Sequence, residues 1–307
     1  LYFSKAKVKR HSGKRRSIVG IIWELDFYSR PILDDNQKKL WEVLIFEAPL
    51  GIEQPVDSLF QYSQFCSNKM VNSLWLREAI EKAIAESGKT PQKIRFFRRQ
   101  MNNMIVKAGE ELGIPTVPSR RTYALNQWLA QRMEDFYPHQ PGYDPAAALP
   151  TSVQYPEVTA VALPDALRGD RSDKWAFVSL AASEFAEMDE WDIAFGEAFP
   201  LSIAGVTPQM RIPGLIVFSL RALALAGWLS GLEMAYLKVD DTTSRPFVRL
   251  ETGASESWVL ANITDAKTLA EARRFEAAKE KSQTVHFLAI QSSPESESFA
   301  GLWLLKT

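Results

Sequence analysis

Cysteine and histidine are scarce in this chain. Among 307 residues there is one cysteine, Cys66. That excludes an internal disulfide and a cysteine-built zinc site, and it leaves Cys66 to pack as a small hydrophobe. The three histidines, His11, His139 and His286, stand at no spacing that makes a ligand pair. Glycine-rich phosphate loops, GxSxG and HExxH are absent as well. No nucleotide-hydrolase or serine-hydrolase reading survives, and no cofactor is expected. Long apolar runs are also missing. The longest, GLIVFSLRALALAGWL (214–229), is interrupted by Arg221 and is too short and too polar to span a bilayer. It reads as a buried helix following Pro213. No transmembrane segment and no secretory signal are expected.

The chain does have aromatic mass, with nine Trp and 17 Phe, and an uneven charge. Residues 1–17 hold seven of the 36 basic side chains and none of the 37 acids. The remainder therefore carries 29 against 37, a net −8. A basic tail on an acidic body suits an anionic partner. The length exceeds one comfortable core, so two domains are expected. The cluster Pro138, Pro141, Pro145, Pro150, Pro156 and Pro164 marks the break between them. The expected division is a tail at 1–17, a domain at 18–140, a linker at 141–173 and a second domain at 174–307.

Hydrophobic periodicity gives the first domain an order of three strands, helix, strand, helix, short strand and helix. The strands fall in IVGIIWELDFYS (18–29), LWEVLIFEA (40–48), FQYSQFC (60–66), KIRFFR (93–98) and TVPS (116–119), with RPILDDNQKKL (30–40) as a turn. The helices are NSLWLREAIEKAIAESG (72–88), MNNMIVKAGEELG (101–113) and LNQWLAQRMEDFY (125–137). This is the order of a ribonuclease-H-like fold, so the class is α/β with mixed sheets. The second half runs GLEMAYLKVDD (231–241), PFVRLETG (246–253) and SWVLANI (257–263), a helix over 265–282, a strand at 285–293 and a helix start at SPESESFAGLWLL. A related topology is expected there, with a convergent pattern as the alternative.

A hydrolase on such a scaffold needs several carboxylates around divalent ions. Glu24 or Asp26 on the first strand and Glu78 or Glu81 on the following helix would supply two. The fourth strand instead runs into Arg98 and Arg99, cations that never deprotonate. Asp240, Asp241, Glu295 and Glu297 form a second acidic set that reads as loop. The expectation is no metal site and no enzyme; a divergent metal-dependent nuclease is the rival.

WELDFYSRPI (23–32), RFFRRQM (95–101), VPSRR (117–121), LAGWLSGLE (225–233) and FAGLWLL (299–305) are similar to the Tab family of plants, algae and cyanobacteria. The resemblance covers nearly the whole chain from Ile18 to Leu305 and is weakest over 140–215. It implies an A/U-rich single-stranded RNA-binding translation factor of the chloroplast stroma or thylakoid surface. Its partners would be the 5′ leader of a photosystem I reaction-centre message, the ribosome and other translation factors. A protein-only photosystem assembly factor is a further alternative.

Single-stranded RNA is held by cations along its backbone and aromatic faces under its bases. Arg95, Phe97, Arg98, Arg99, Arg120, Arg121 and Tyr123 supply both within a short stretch and are the candidate contacts. The resemblance adds Trp303, Leu304 and Leu305 as RNA-binding positions. On physics alone, so apolar a chain end docks in a core.

Overall fold

The structure is a computed structural model that describes residues 20–147, 158–167 and 173–307. The basic tail and the middle of the expected linker lie outside the described residues. The chain divides into two compact units, one of residues 18–49 and 55–156, the other of residues 157–307 together with 50–54.

The first unit contains β1 (Ile22–Leu33), β2 (Lys39–Glu47), β3 (Gln61–Cys66), α1 (Ser73–Ser87), β4 (Lys93–Phe96), α2 (Asn102–Glu111), β5 (Thr116–Pro118) and α3 (Tyr123–Gln131). Its sheet order is β3-β2-β1-β4-β5. The first three strands are antiparallel, and β1, β4 and β5 are parallel. Alternation along β1 sorts its side chains. Trp23, Leu25 and Phe27 point to the face covered by Leu76, Ile80 and Ile105 of α1 and α2. The other face of the sheet presents Leu44, Phe46 and Phe97 to Ala124, Leu125 and Leu129 of α3. Local signals end the helices: the Asn72 carboxamide accepts the Trp75 N–H at 2.9 Å, and Gly88 closes α1 at φ 67°.

Two expectations change here. RPIL is not turn: β1 continues through it to Leu33, with an irregularity in register between Ser29 and Leu33. Pro31 reads as a turn signal, but it falls within that irregularity of the strand. The start of the expected linker is also ordered. Ile32 bridges Tyr143, and the Leu33 N–H donates to the Gly142 carbonyl at 2.8 Å, so residues 141–147 pack on the first unit.

The second unit contains β6 (Val161–Ala162), β7 (Lys174–Ala181), β8 (Ile193–Glu197), β9 (Arg211–Phe218), α4 (Ala222–Ser230), β10 (Met234–Asp240), β11 (Phe247–Thr252), β12 (Glu256–Asn262), α5 (Ala266–Lys281), β13 (Val285–Gln291) and β14 (Phe299–Lys306). Its strands form two sheets, β10-β11-β12-β6 and β7-β9-β13-β14-β8. β6 thus turns the late part of the expected linker into sheet. The related topology expected for this half does not hold. The three-strand meander lies in one sheet, while β13 pairs with β9 and β14 in the other. The expected C-terminal helix is strand β14. The apolar run 214–229 is strand then helix, with Pro213 inside β9 opposite Ser179. Continuous apolar runs have no period by which to tell the two apart. One core joins the facing sides of both sheets with α4 and α5, through Leu215, Leu225, Leu237, Phe275, Leu288 and Trp303.

The outer edge of β10 is closed by side chains. His286 on β13 is fully buried; its Nε2 accepts the Leu237 N–H at 2.8 Å, and its Nδ1 lies 2.9 Å from the Thr284 carbonyl, which fixes that nitrogen as the protonated one. Lys279 Nζ donates to the Leu237 carbonyl at 2.7 Å, and Glu276 accepts the Val239 N–H at 2.7 Å. Burial, aided by the Lys279 charge, holds the His286 pKa well below its ordinary value. The neutral ring is the form that can accept from Leu237. Below pH about 6.5 the unfolded chain takes up a proton that the folded chain refuses, so stability falls with falling pH. The melting temperature should decline between pH 7 and 5, and His286→Gln should flatten that decline; an unchanged profile in the variant refutes the assignment.

Candidate nucleic-acid interface

The face of the first sheet that meets α3 is polar as well as apolar. Alternation places Glu24, Asp26, Tyr28 and Arg30 in file along β1. Glu24 accepts the Leu125 N–H at 2.7 Å and so caps the start of α3, whose own N-cap, Thr122, makes no side-chain cap bond. In the ladder Glu24 stands beside Arg95 of β4.

Next along β1, Asp26 is the centre of a chain of ion pairs. Arg98 grips it with both arms, Nε to Oδ1 at 2.5 Å and Nη2 to Oδ2 at 3.3 Å, while Arg30 Nη2 reaches Oδ2 at 2.9 Å. The Arg30 Nε then donates to Glu42 of β2 at 2.9 Å. Glu42 also receives Arg132 and the Tyr137 hydroxyl, the latter at 2.5 Å. The helix end that delivers these two groups leaves α3 as a π-turn, Arg132–Phe136. Burial opposes the Arg30 charge, but Asp26 and the other acids around it outweigh that, and its pKa lies above the ordinary arginine value. Burial and Glu42 raise the Tyr137 phenol, which keeps it a donor. Aromatic faces complete the setting: the Arg98 guanidinium lies 4.1 Å from the Tyr28 ring centre and 4.9 Å from that of Phe97, and Arg132 lies 3.9 Å from Phe136.

The sequence-predicted positions divide by exposure. Arg95, Arg98 and Arg121 are 2%, 6% and 3% exposed, and Phe97 is core. These four are buried within the first unit. Arg99 is exposed, and Arg120 and Tyr123 are half-buried. Trp303, Leu304 and Leu305 lie in the second half of β14, and Trp303 is only 3% exposed, so its indole packs in the core. Gly301 shows how close the fit is. A Cβ there would fall 2.2 Å from the Trp303 ring and 3.0 Å from Ala226 of α4. The LAGWLSGLE and FAGLWLL segments therefore pack against each other inside the second unit.

The carboxylates considered for metal are dispersed. Asp26 faces α3, whereas α1, with Glu78 and Glu81, covers the other face of the sheet. Asp240 accepts from Thr242 at 2.7 Å, and Asp241 pairs with Arg273 at 3.0 Å. Burial raises the Cys66 thiol to about 11, which keeps it inert. Sequence reasoning missed Arg30, Glu42 and Tyr137. The file Asp26-Tyr28-Arg30 was visible as a period of two, but reading RPIL as turn removed Arg30 from the strand.

Residues 22–132 match the family model described as RNA-binding protein Tab2/Atab2 N terminal, and residues 150–306 match its C-terminal domain. A "Protein TAB2 homolog, chloroplastic" of Arabidopsis thaliana is 38% identical over 92% of this chain and 74% of its own length. The protein of the same name in Zea mays is 37% identical over 92% and 70%. A chain of a simian T-cell lymphotropic virus intasome structure, in complex with PP2A regulatory subunit B56 gamma, aligns with 51% of this chain and 61% of its own at 11% identity and a TM-score of 0.25, a likeness too slight to bear on the fold.

Two substitutions check these assignments. Asp26→Asn leaves two buried guanidiniums short of a counter-charge and should cost about 3–5 kcal/mol in urea unfolding. Trp303→Ala should cost about 3–5 kcal/mol as well, and a loss of RNA affinity at unchanged stability would contradict its core placement.

Proposed function

The chain belongs to the Tab2/Atab2 family of RNA-binding proteins, and on that footing we propose that it binds an A/U-rich single-stranded leader of a photosystem I reaction-centre message and promotes its translation without chemical turnover. It acts in the chloroplast, as the names of its two plant relatives support for them. Its partners are the message and, through it, the ribosome. No described helix is long and apolar enough to cross a membrane. The first unit is read as ribonuclease-H-like, and the β3-β2-β1-β4-β5 order with its antiparallel and parallel halves supports that reading.

The observation that carries the non-catalytic part is the bidentate grip of Arg98 on Asp26. Two-metal hydrolysis draws on free carboxylate oxygens from several elements. Here both oxygens of the central β1 carboxylate accept from guanidiniums, and α1 offers its acids on the far side of the sheet. With Asp26 engaged in this way, the protein holds RNA rather than cutting it.

Filter binding compares an A/U-rich leader with its scrambled and G/C-rich counterparts. Preference for the A/U-rich strand is expected; equal binding of all three removes the sequence-selective part, and no binding of any removes the RNA reading. The bound RNA should stay intact in Mg²⁺ and Mn²⁺. Cleavage that Asp26→Asn abolishes would overturn the non-catalytic reading.

A further inference from the structure

The strand at the end of the second unit's five-stranded sheet is left open. β7 pairs with β9 in one uninterrupted register, from Lys174 opposite Phe218 to Ala181 opposite Arg211. Among the described residues no strand lies on its other side. The sequence KWAFVSLA has no proline, bulge or internal charge, the devices that ordinarily blunt an edge. Trp175 through Ala181 are all half-buried. The edge of β10, by contrast, is closed by His286, Lys279 and Glu276.

Register fixes which groups face outward. In an antiparallel pair, residues that exchange hydrogen bonds alternate with residues that do not. The Ala182 N–H donates to the Met210 carbonyl at 2.8 Å, in the same register as the strand pair. The even-numbered residues of β7 therefore bond to β9, and Trp175, Phe177, Ser179 and Ala181 turn their backbone groups outward. Two of these groups have side-chain partners: the Ala181 N–H donates to Glu184 Oε2 at 2.6 Å, and the Ser179 carbonyl accepts from Arg211. The groups of Trp175 and Phe177 and the Ser179 N–H have none among the described residues.

We infer that β7 is a self-pairing edge, on which two copies of this chain join antiparallel about a two-fold axis at Phe177. Phe177 then stands opposite itself, and Trp175 opposite Ser179 of the second copy, so the outward groups meet in hydrogen-bonded pairs. The Ser179 carbonyl keeps a second lone pair for this beside the one that Arg211 occupies. Trp175 and Phe177 share one face, their rings 5.5 Å apart in an edge contact, and the pairing extends them into a cross-strand aromatic row. Charge selects a second copy over an unrelated strand, and antiparallel over parallel pairing. Asp173 and Lys174 stand at the start of β7, Glu184 and Arg211 at its end. The two-fold axis sets Asp173 toward Arg211 of the other copy and Lys174 toward its Glu184, and between these ends the strand is uncharged. Such an interface is isologous and closes at two copies.

The test is sedimentation equilibrium of the full chain over a concentration series, where a reversible dimer is expected. Ser179→Pro removes an outward N–H, at a place where an edge strand tolerates proline. The loss occurs twice across the axis, so the dimer dissociation constant should rise about tenfold with little change in melting temperature. A cross-link reads the register independently. In the dimer Ala176 faces Val178 of the other copy as a non-hydrogen-bonded pair, with Cα atoms about 4.5 Å apart, within disulfide reach. An equimolar mixture of Ala176→Cys and Val178→Cys proteins should form a disulfide-linked dimer under mild oxidation, and neither protein alone should; the native Cys66 is buried. A chain that stays monomeric overturns the inference and leaves the edge to a foreign strand or to none. A dimer that Ser179→Pro leaves intact, or one whose mixture does not cross-link, pairs through another surface and overturns it as well. If Ser179→Pro fails to fold, the cross-link decides.

Discussion

The first unit is organised around one buried chain of ion pairs, Arg98 to Asp26 to Arg30 to Glu42 to Arg132. It joins the end of β4, the middle of β1, the start of β2 and the π-turn at the end of α3. Such a chain is not there for raw stability. Removing charges from water costs several kcal/mol each, and their mutual attraction repays this only with good geometry and satisfied hydrogen bonds. Here the geometry is good: a bidentate pair, a tyrosine donor and aromatic faces against two of the guanidiniums. The network helps to fix where α3 lies, because a shifted helix would take Arg132 and Tyr137 away from Glu42 and leave it with Arg30 alone. Glu24 adds to the same registration by capping the first turn of α3.

Asp26, near the centre of β1, is committed to holding Arg98 and Arg30 in place. Arginines in this unit are sorted by geometry: Arg98, like Arg30 and Arg132, turns toward the sheet face and holds the scaffold together, while Arg99 beside it is exposed.

The second unit solves a similar problem with other means. Its two sheets share a core, and the peptide of Leu237 at the edge of β10 is satisfied by an imidazole from β13 and an ammonium from α5. An open edge strand is thereby closed by side chains. The same unit gives a structural meaning to two of the segments by which the family is recognised. LAGWLSGLE and FAGLWLL meet where Trp303 covers Gly301 against Ala226. If these segments affect RNA, they do so through the fold that they build.

The sequence alone determined most of the secondary structure of the first unit, the end of β1 over residues 30–33 excepted. Alternation and the 3.6-residue repeat are local, and so are stops such as Asn72 and Gly88, so β1 to β5 and α1 to α3 were all legible, as was the α/β class. The presence of cations at the end of β4 was legible too. Tertiary structure decided the rest. Asp26 and Arg98 are 72 residues apart and Glu42 and Arg132 are 90 apart, and no local period encodes such pairings. Which arginines turn inward followed from those pairings. The sheet to which β13 belongs was likewise undecidable, because a strand buried on both faces shows the same apolar run whichever neighbour it takes. Trp303 is buried for a further non-local reason: the surface that covers it, α4, lies more than 70 residues earlier in the chain and reaches it only through packing.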